Sequence, residues 1–114
     1  MTEQAEALVA EKRRRAGDTP QDRAALAKAL LDLSDALERD NRDSEAVAAA
    51  RESVAVLSSD FLADPPALAA AMRASVTRYV ALAGRSGTPD EALLAPIAQA
   101  LGDLTRAEDV EDDS

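Results

Sequence analysis

Residues 19–43 read TPQDRAALAKALLDLSDALERDNRD, and this stretch decides the fold class. Thr19 offers a hydroxyl cap, and Pro20 follows at the first helical position, where the missing N–H would have had no helical partner anyway. Asp22 then places negative charge at the positive end of the helix dipole. Leu26, Leu30, Leu33 and Leu37 recur every three or four residues, which is the apolar stripe of an amphipathic helix and not the alternation of a strand. The polar run Asp40-Asn41-Arg42 ends the stripe. A helix over about 20–40 is predicted, and a second is expected to start behind Asp43 as its cap.

The same pattern extends in both directions. A first helix is expected over 3–16, capped by Thr2, with Ala5, Leu8 and Val9 inward and Gly17 at its end. The third is expected over 44–59, burying Ala46, Val47, Ala50, Val54 and Leu57, followed by an apolar connector, Phe61-Leu62-Ala63. Asp64-Pro65-Pro66 repeats the cap-then-proline design and opens a fourth helix over 65–84, with Leu68, Met72, Val76, Tyr79 and Val80 inward. Thr88-Pro89-Asp90-Glu91 has the spacing of a capping box, so a fifth helix is expected over 89–106. Its apolar residues are Leu93, Leu94, Ile97, Leu101 and Leu104, and Pro96 is expected to kink or break it. Residues 107–114 are acidic and without periodicity, and a disordered tail is expected there. The fold class is therefore all-α, about five antiparallel helices stacked as hairpins in one domain over 1–106.

Composition narrows the chemistry. The chain has 114 residues, enough for one domain, and its aromatic residues are Phe61 and Tyr79, so alanine and leucine carry the core. It has no cysteine and no histidine, which removes disulfides, thiolate nucleophiles, imidazole bases and Cys- or His-built zinc sites. No nucleotide loop or serine elbow is present. Asp32, Asp35, Asp40 and Asp43 fall at exposed positions, without the apolar pocket that would tune a carboxyl for acid–base work. No enzyme activity, cofactor or metal is expected. The segment TEQAEALVAEKRRR is amphipathic and charged, unlike a signal peptide, and no apolar run is long enough to span a membrane. A cytoplasmic protein without a membrane role is expected.

The net charge is −9, and Glu108, Asp109, Glu111, Asp112 and Asp113 concentrate much of it. Such a surface repels phosphate, so nucleic acid is not an expected partner. An acidic inhibitor that mimics nucleic acid is the alternative reading. The basic run Lys12-Arg13-Arg14-Arg15 suits either a phosphate or acidic-protein patch or simple complementation of a helix C-terminus. It could also pair with the acidic tail, within or between chains.

Internal repetition points further. The segment beginning Leu26-Ala27 is echoed by one beginning Leu68-Ala69, 42 residues on, with apolar residues matched at Leu30/Met72 and Leu37/Tyr79. Glu45-Ala46 then matches Glu91-Ala92 after an insertion. Repeated helix–turn–helix units of this length indicate a solenoid-like array. On Leu30, Leu33, Ser34 and Leu37 for the first helix, and Ala46, Ala50 and Ser53 for the second, the sequence resembles the tetratricopeptide family in its long-period actinobacterial form. Met72, Ser75, Val76, Tyr79 and Ala92 serve the second unit. The units would span about 20–60 and 64–106, with the first helix as part of a preceding one. The family's tryptophan is absent, Asn41 replaces the hairpin glycine, and Pro96 stands where a small packed residue belongs.

The resemblance implies a protein–protein interaction module, an adaptor or small scaffold. Its groove between helices 2 and 4 would receive a peptide or partner helix, with Lys28, Leu31, Asp35 and Arg39 on one side and Arg73 and Thr77 on the other. Because repeat arrays of about two units leave apolar surface uncovered, a homodimer is expected through Leu94, Ile97 and Leu101.

Overall fold

The computed structural model describes residues 2–15 and 19–112, with the side chains of residues 15, 86 and 107–112 outside the description. Five helices follow in order: α1 (Thr2–Arg15), α2 (Pro20–Arg39), α3 (Asp43–Ala63), α4 (Pro65–Ser86) and α5 (Glu91–Asp112). No strand occurs among the described residues. None of their helices is long and apolar enough to cross a membrane. The expected end of α1 at Gly17 and residues 113 and 114 of the acidic tail lie outside the described residues.

The helix ends explain the sharp turns. Thr19 accepts the backbone N–H of Asp22 through its hydroxyl at 3.1 Å, the cap expected from sequence. At the other end of α2, Asn41 adopts φ 62°, a left-handed conformation that asparagine tolerates. The Asn41 N–H donates to the carbonyl of Glu38 and the Arg42 N–H to that of Leu37. This pair of bonds is the Schellman closure, with asparagine where glycine is usual. Asp64 alone separates α3 from α4. The two prolines after it bar that residue from the helical region and restart the helix at once.

Several expected caps are replaced. Asp43 lies inside α3, whose cap residue Arg42 makes no side-chain capping bond. Asp64 likewise makes no side-chain cap, and its carbonyl accepts from the Ala67 N–H instead. Thr2 is the first residue of α1, and its hydroxyl accepts from Arg42 across the fold. At α5 the cap is Asp90, not Thr88: its carboxylate accepts from the Leu93 N–H at 3.2 Å. Arg51 grips that carboxylate at 2.8 Å, and the Tyr79 hydroxyl accepts from the Asp90 N–H at 2.7 Å. These tertiary contacts fix Asp90 and shift the helix start to Glu91. The expected connector Phe61-Leu62-Ala63 is the last turn of α3, because Phe61 is wholly buried there. Pro96 does not break α5, which is one helix from Glu91 to Asp112.

Each helix packs on the next, and α4 also touches α2 while α5 touches α3. Thus α2 and α4 share one layer and α3 and α5 the other. The extents of 50 × 34 × 23 Å show a stack that grows lengthwise. The Cα radius of gyration of 14.8 Å exceeds the roughly 13 Å of an equally long compact domain.

On α3 the inward stripe runs Ala46, Ala49, Ala50, Ser53, Val54, Leu57 and Phe61. Small residues at its start allow close approach of neighbouring helices, and larger ones fill the core toward its end. This core joins Leu37, Met72, Tyr79, Leu82 and Ile97. A second cluster, Val9, Leu26, Ala29 and Leu30, fastens α1 to α2. Leu8 and Val80, expected inward, are exposed at 39% and 40%.

Candidate partner-binding groove

α2 and α4 lie side by side over α3, and the space between them is an open groove. Ala24, Ala27 and Leu31 form one wall, Ala71 and Ala74 the other, and Leu57 of α3 the floor, enclosing about 260 Å³. Alanine side chains do not fill the space between two helices, so the hollow follows directly from their placement. Toward the start of α2 the groove widens into a further hollow of about 400 Å³, bordered by Pro20, Ala24, Ala63, Ala67 and Leu68.

Hydrogen bonds hold the floor in register. The Ser53 hydroxyl donates to the Ala27 carbonyl at 2.9 Å and lies 2.8 Å from the Ser75 hydroxyl. Ser53 has a single proton, so with that proton on the Ala27 carbonyl it is Ser75 that donates to Ser53. Both serines are buried, and three helices are tied at one point. No buried side-chain polar atom among the described residues is left without a partner.

Ion pairs close one end. Arg78 of α4 reaches Asp35 at 2.6 Å and Glu38 at 2.7 Å on α2, and its Nε donates to the Ser34 hydroxyl at 3.4 Å. Arg85 also pairs with Glu38. The hydrogen bond from Arg78, reinforced by Arg85, holds the Glu38 carboxyl below the ordinary carboxylate range against the opposing effect of desolvation. At the open end Arg23 grips Asp60 with two bonds of 2.7 and 3.0 Å, and that bidentate contact lowers the Asp60 carboxyl. Asp35 and Glu38 at the closed end and Asp60 at the open end are thus paired from within, whereas Asp64, which also borders the open end, makes no side-chain cap and no ion pair among the described residues.

The structure sorts the expected residues. Lys28 and Leu31 line the groove. Asp35 stands at the closed end with its charge engaged by Arg78. Arg39 is exposed at the last position of α2 and does not border the groove. Arg73 and Thr77 are exposed but off the lining stripe of α4, which runs through Ala71, Ala74 and Ser75. Arg78, the residue that closes the groove, carried no local signal, because its partners lie 40 or more positions away.

The expected self-association surface changes more. Ile97 is wholly buried in the chain's own core. Leu94 and Leu101 are partly buried against the same cluster. With few aromatic residues to fill the space between α3 and α4, the α5 stripe turns inward and supplies core, so Ile97 is removed from any dimer interface.

The basic run divides as well. Arg13 pairs with Glu52 of α3, Arg14 is exposed, and Lys12 borders a separate hollow described below. No cluster of acidic residues among those described could hold a metal ion. No protein-family model, curated protein or solved structure matches the chain.

Proposed function

We propose that this chain is a protein–protein interaction module, an adaptor or small regulatory scaffold, which receives a helix or extended segment of another protein between α2 and α4. The observation that carries the reading is the alanine-walled groove itself. Its walls are shallow enough for a second backbone to approach closely, and its apolar lining rewards burial of one or two large side chains. Fixed ion pairs at the closed end would set the register of an incoming segment. The resemblance of the helix pairs to tetratricopeptide units supports the same surface.

The test is affinity capture from the native host with three variants. Ala74→Phe fills the groove from an exposed position and leaves the core untouched, and Leu31→Asp places a charge on its wall. Both should lose a partner that the unaltered chain retains. Arg73→Glu, off the lining stripe, should keep it. Retention of every partner by both groove variants sinks the proposal. Self-association would use the uncovered parts of Leu94 and Leu101, which the core buries only partly. Light scattering that gives a monomer at micromolar concentration removes that part.

A further inference from the structure

Lys12 and Lys28 are the only lysines in the chain. Both border one hollow of about 370 Å³ between α1 and α2, together with Leu8, Ala25, Ala29 and Asp32. Lys28 also lines the α2–α4 groove, so it stands on the ridge of α2 between two apolar depressions. Six arginines are engaged by the fold: Arg13, Arg23, Arg42, Arg51, Arg78 and Arg85 each hold a carboxylate from another helix or from the turn before α5, whereas Arg14, Arg39 and Arg73 are exposed and border neither hollow. Among the described residues, neither lysine has a carboxylate within ion-pair distance. Asp32 is the one acid on the border of that hollow. Two ammonium groups thus border the hollow against one carboxylate, which lies one helical turn beyond Lys28, on a chain of net charge −9.

We propose that the segment docking in the α2–α4 groove is acidic along one flank and seats its carboxylates between Lys12 and Lys28. This rests on the groove reading above and adds the chemistry of the partner. Apolar side chains of the segment enter the hollows on either side of Lys28. Its carboxylates meet two cations that make no ion pair among the described residues. The negative field of the whole chain slows the approach of such a partner, but it is screened beyond about 8 Å at physiological salt, whereas contact pairs on a partly desolvated ridge are screened less.

Two synthetic amphipathic peptides test this, sharing one leucine/alanine face and flanked by glutamates in one and by lysines in the other. Each is titrated by fluorescence anisotropy against the chain, against the double variant Lys12→Gln/Lys28→Gln, and against Ala74→Phe. Circular dichroism confirms that the exposed-site variants remain folded. The acidic peptide should bind roughly tenfold tighter than the basic one, and the double variant should erase that preference, as two exposed ion pairs would allow. Added salt should narrow the gap. If the two peptides bind equally and Ala74→Phe abolishes both, the groove stands and the acidic partner is refuted. An acidic preference untouched by the double lysine variant also refutes it. Binding that ignores Ala74→Phe, or no binding of either peptide, overturns the groove reading together with this inference.

Discussion

Removing the hydroxyl of Ser53 strands Ser75, and the size of the effect follows from the proton count at that contact. Ser53 donates to the Ala27 carbonyl and accepts from Ser75, with both serines buried. Ser53→Ala therefore deletes two hydrogen bonds and leaves the buried Ser75 proton without its partner. One buried bond contributes about 1 kcal/mol net, and a stranded buried donor costs about 1–3 kcal/mol. Ser75 can recover part of this by turning its hydroxyl back toward a carbonyl of its own helix. The expected loss for Ser53→Ala is thus about 1.5–3 kcal/mol. Ser75→Ala leaves the Ser53–Ala27 bond intact and should cost about 1 kcal/mol or less. The double variant has no stranded hydroxyl, so it should cost no more than Ser53→Ala alone. Urea unfolding followed by far-ultraviolet circular dichroism gives all four stabilities, and an unchanged dependence on denaturant shows that the unfolded state is comparable. Strict additivity in this cycle, or a larger loss for Ser75→Ala than for Ser53→Ala, would refute the proton assignment and the view that these serines tie three helices together.

Ile97→Ala should cost about 2–5 kcal/mol, the range for truncating a fully buried aliphatic residue to alanine, without changing the mass seen by light scattering, since Ile97 belongs to the intrachain core. Asn41→Gly should hold or raise the melting temperature, whereas Asn41→Val should lose about 1–2 kcal/mol, because a branched side chain resists the left-handed backbone at φ 62°. The Asp60 and Glu38 carboxyls are lowered chiefly by hydrogen bonds from Arg23 and Arg78, and Asp90 by those from Arg51 and the Leu93 N–H. A lowered folded-state value means that these carboxylates stabilise the fold above the unfolded value, near about 4, and that the contribution fades as pH falls through the folded value. Thermal melts should therefore drop on acidification below about pH 4, and Asp60→Asn with Asp90→Asn should flatten that limb; an unchanged limb in the double variant would assign the acid sensitivity to other groups.

The helices themselves were legible because their signals are local. Thr19 before Pro20, the prolines after Asp64 and the leucine stripe of α2 act over a few residues and need no partner. The groove between α2 and α4 was legible in outline, since Lys28 and Leu31 fall on the α2 face that borders it. Its closed end was not, because the pairing of Arg78 with Asp35 and Glu38 is a property of two helices brought together by a third. The start of α5 is similar: Thr88 and Asp90 both suit a cap, and Arg51 and Tyr79 from other helices select Asp90. Ile97 makes the same point for the core. Periodicity gives it an apolar face, but only the packing of α5 on α3 and α4 decides that the face is covered by its own chain.

That this protein is helical, that α2 starts behind Thr19 and α4 behind Asp64, and that alanine and leucine build its core follow from local signals, because capping, proline geometry and a repeat of three to four residues act within a single turn of chain. Tertiary structure alone decided which charges are neutralised and which remain available. Ion pairs join residues far apart in sequence, so only the assembled stack shows that most arginines are engaged while Lys12 and Lys28, which share a hollow with Asp32, make no ion pair among the described residues.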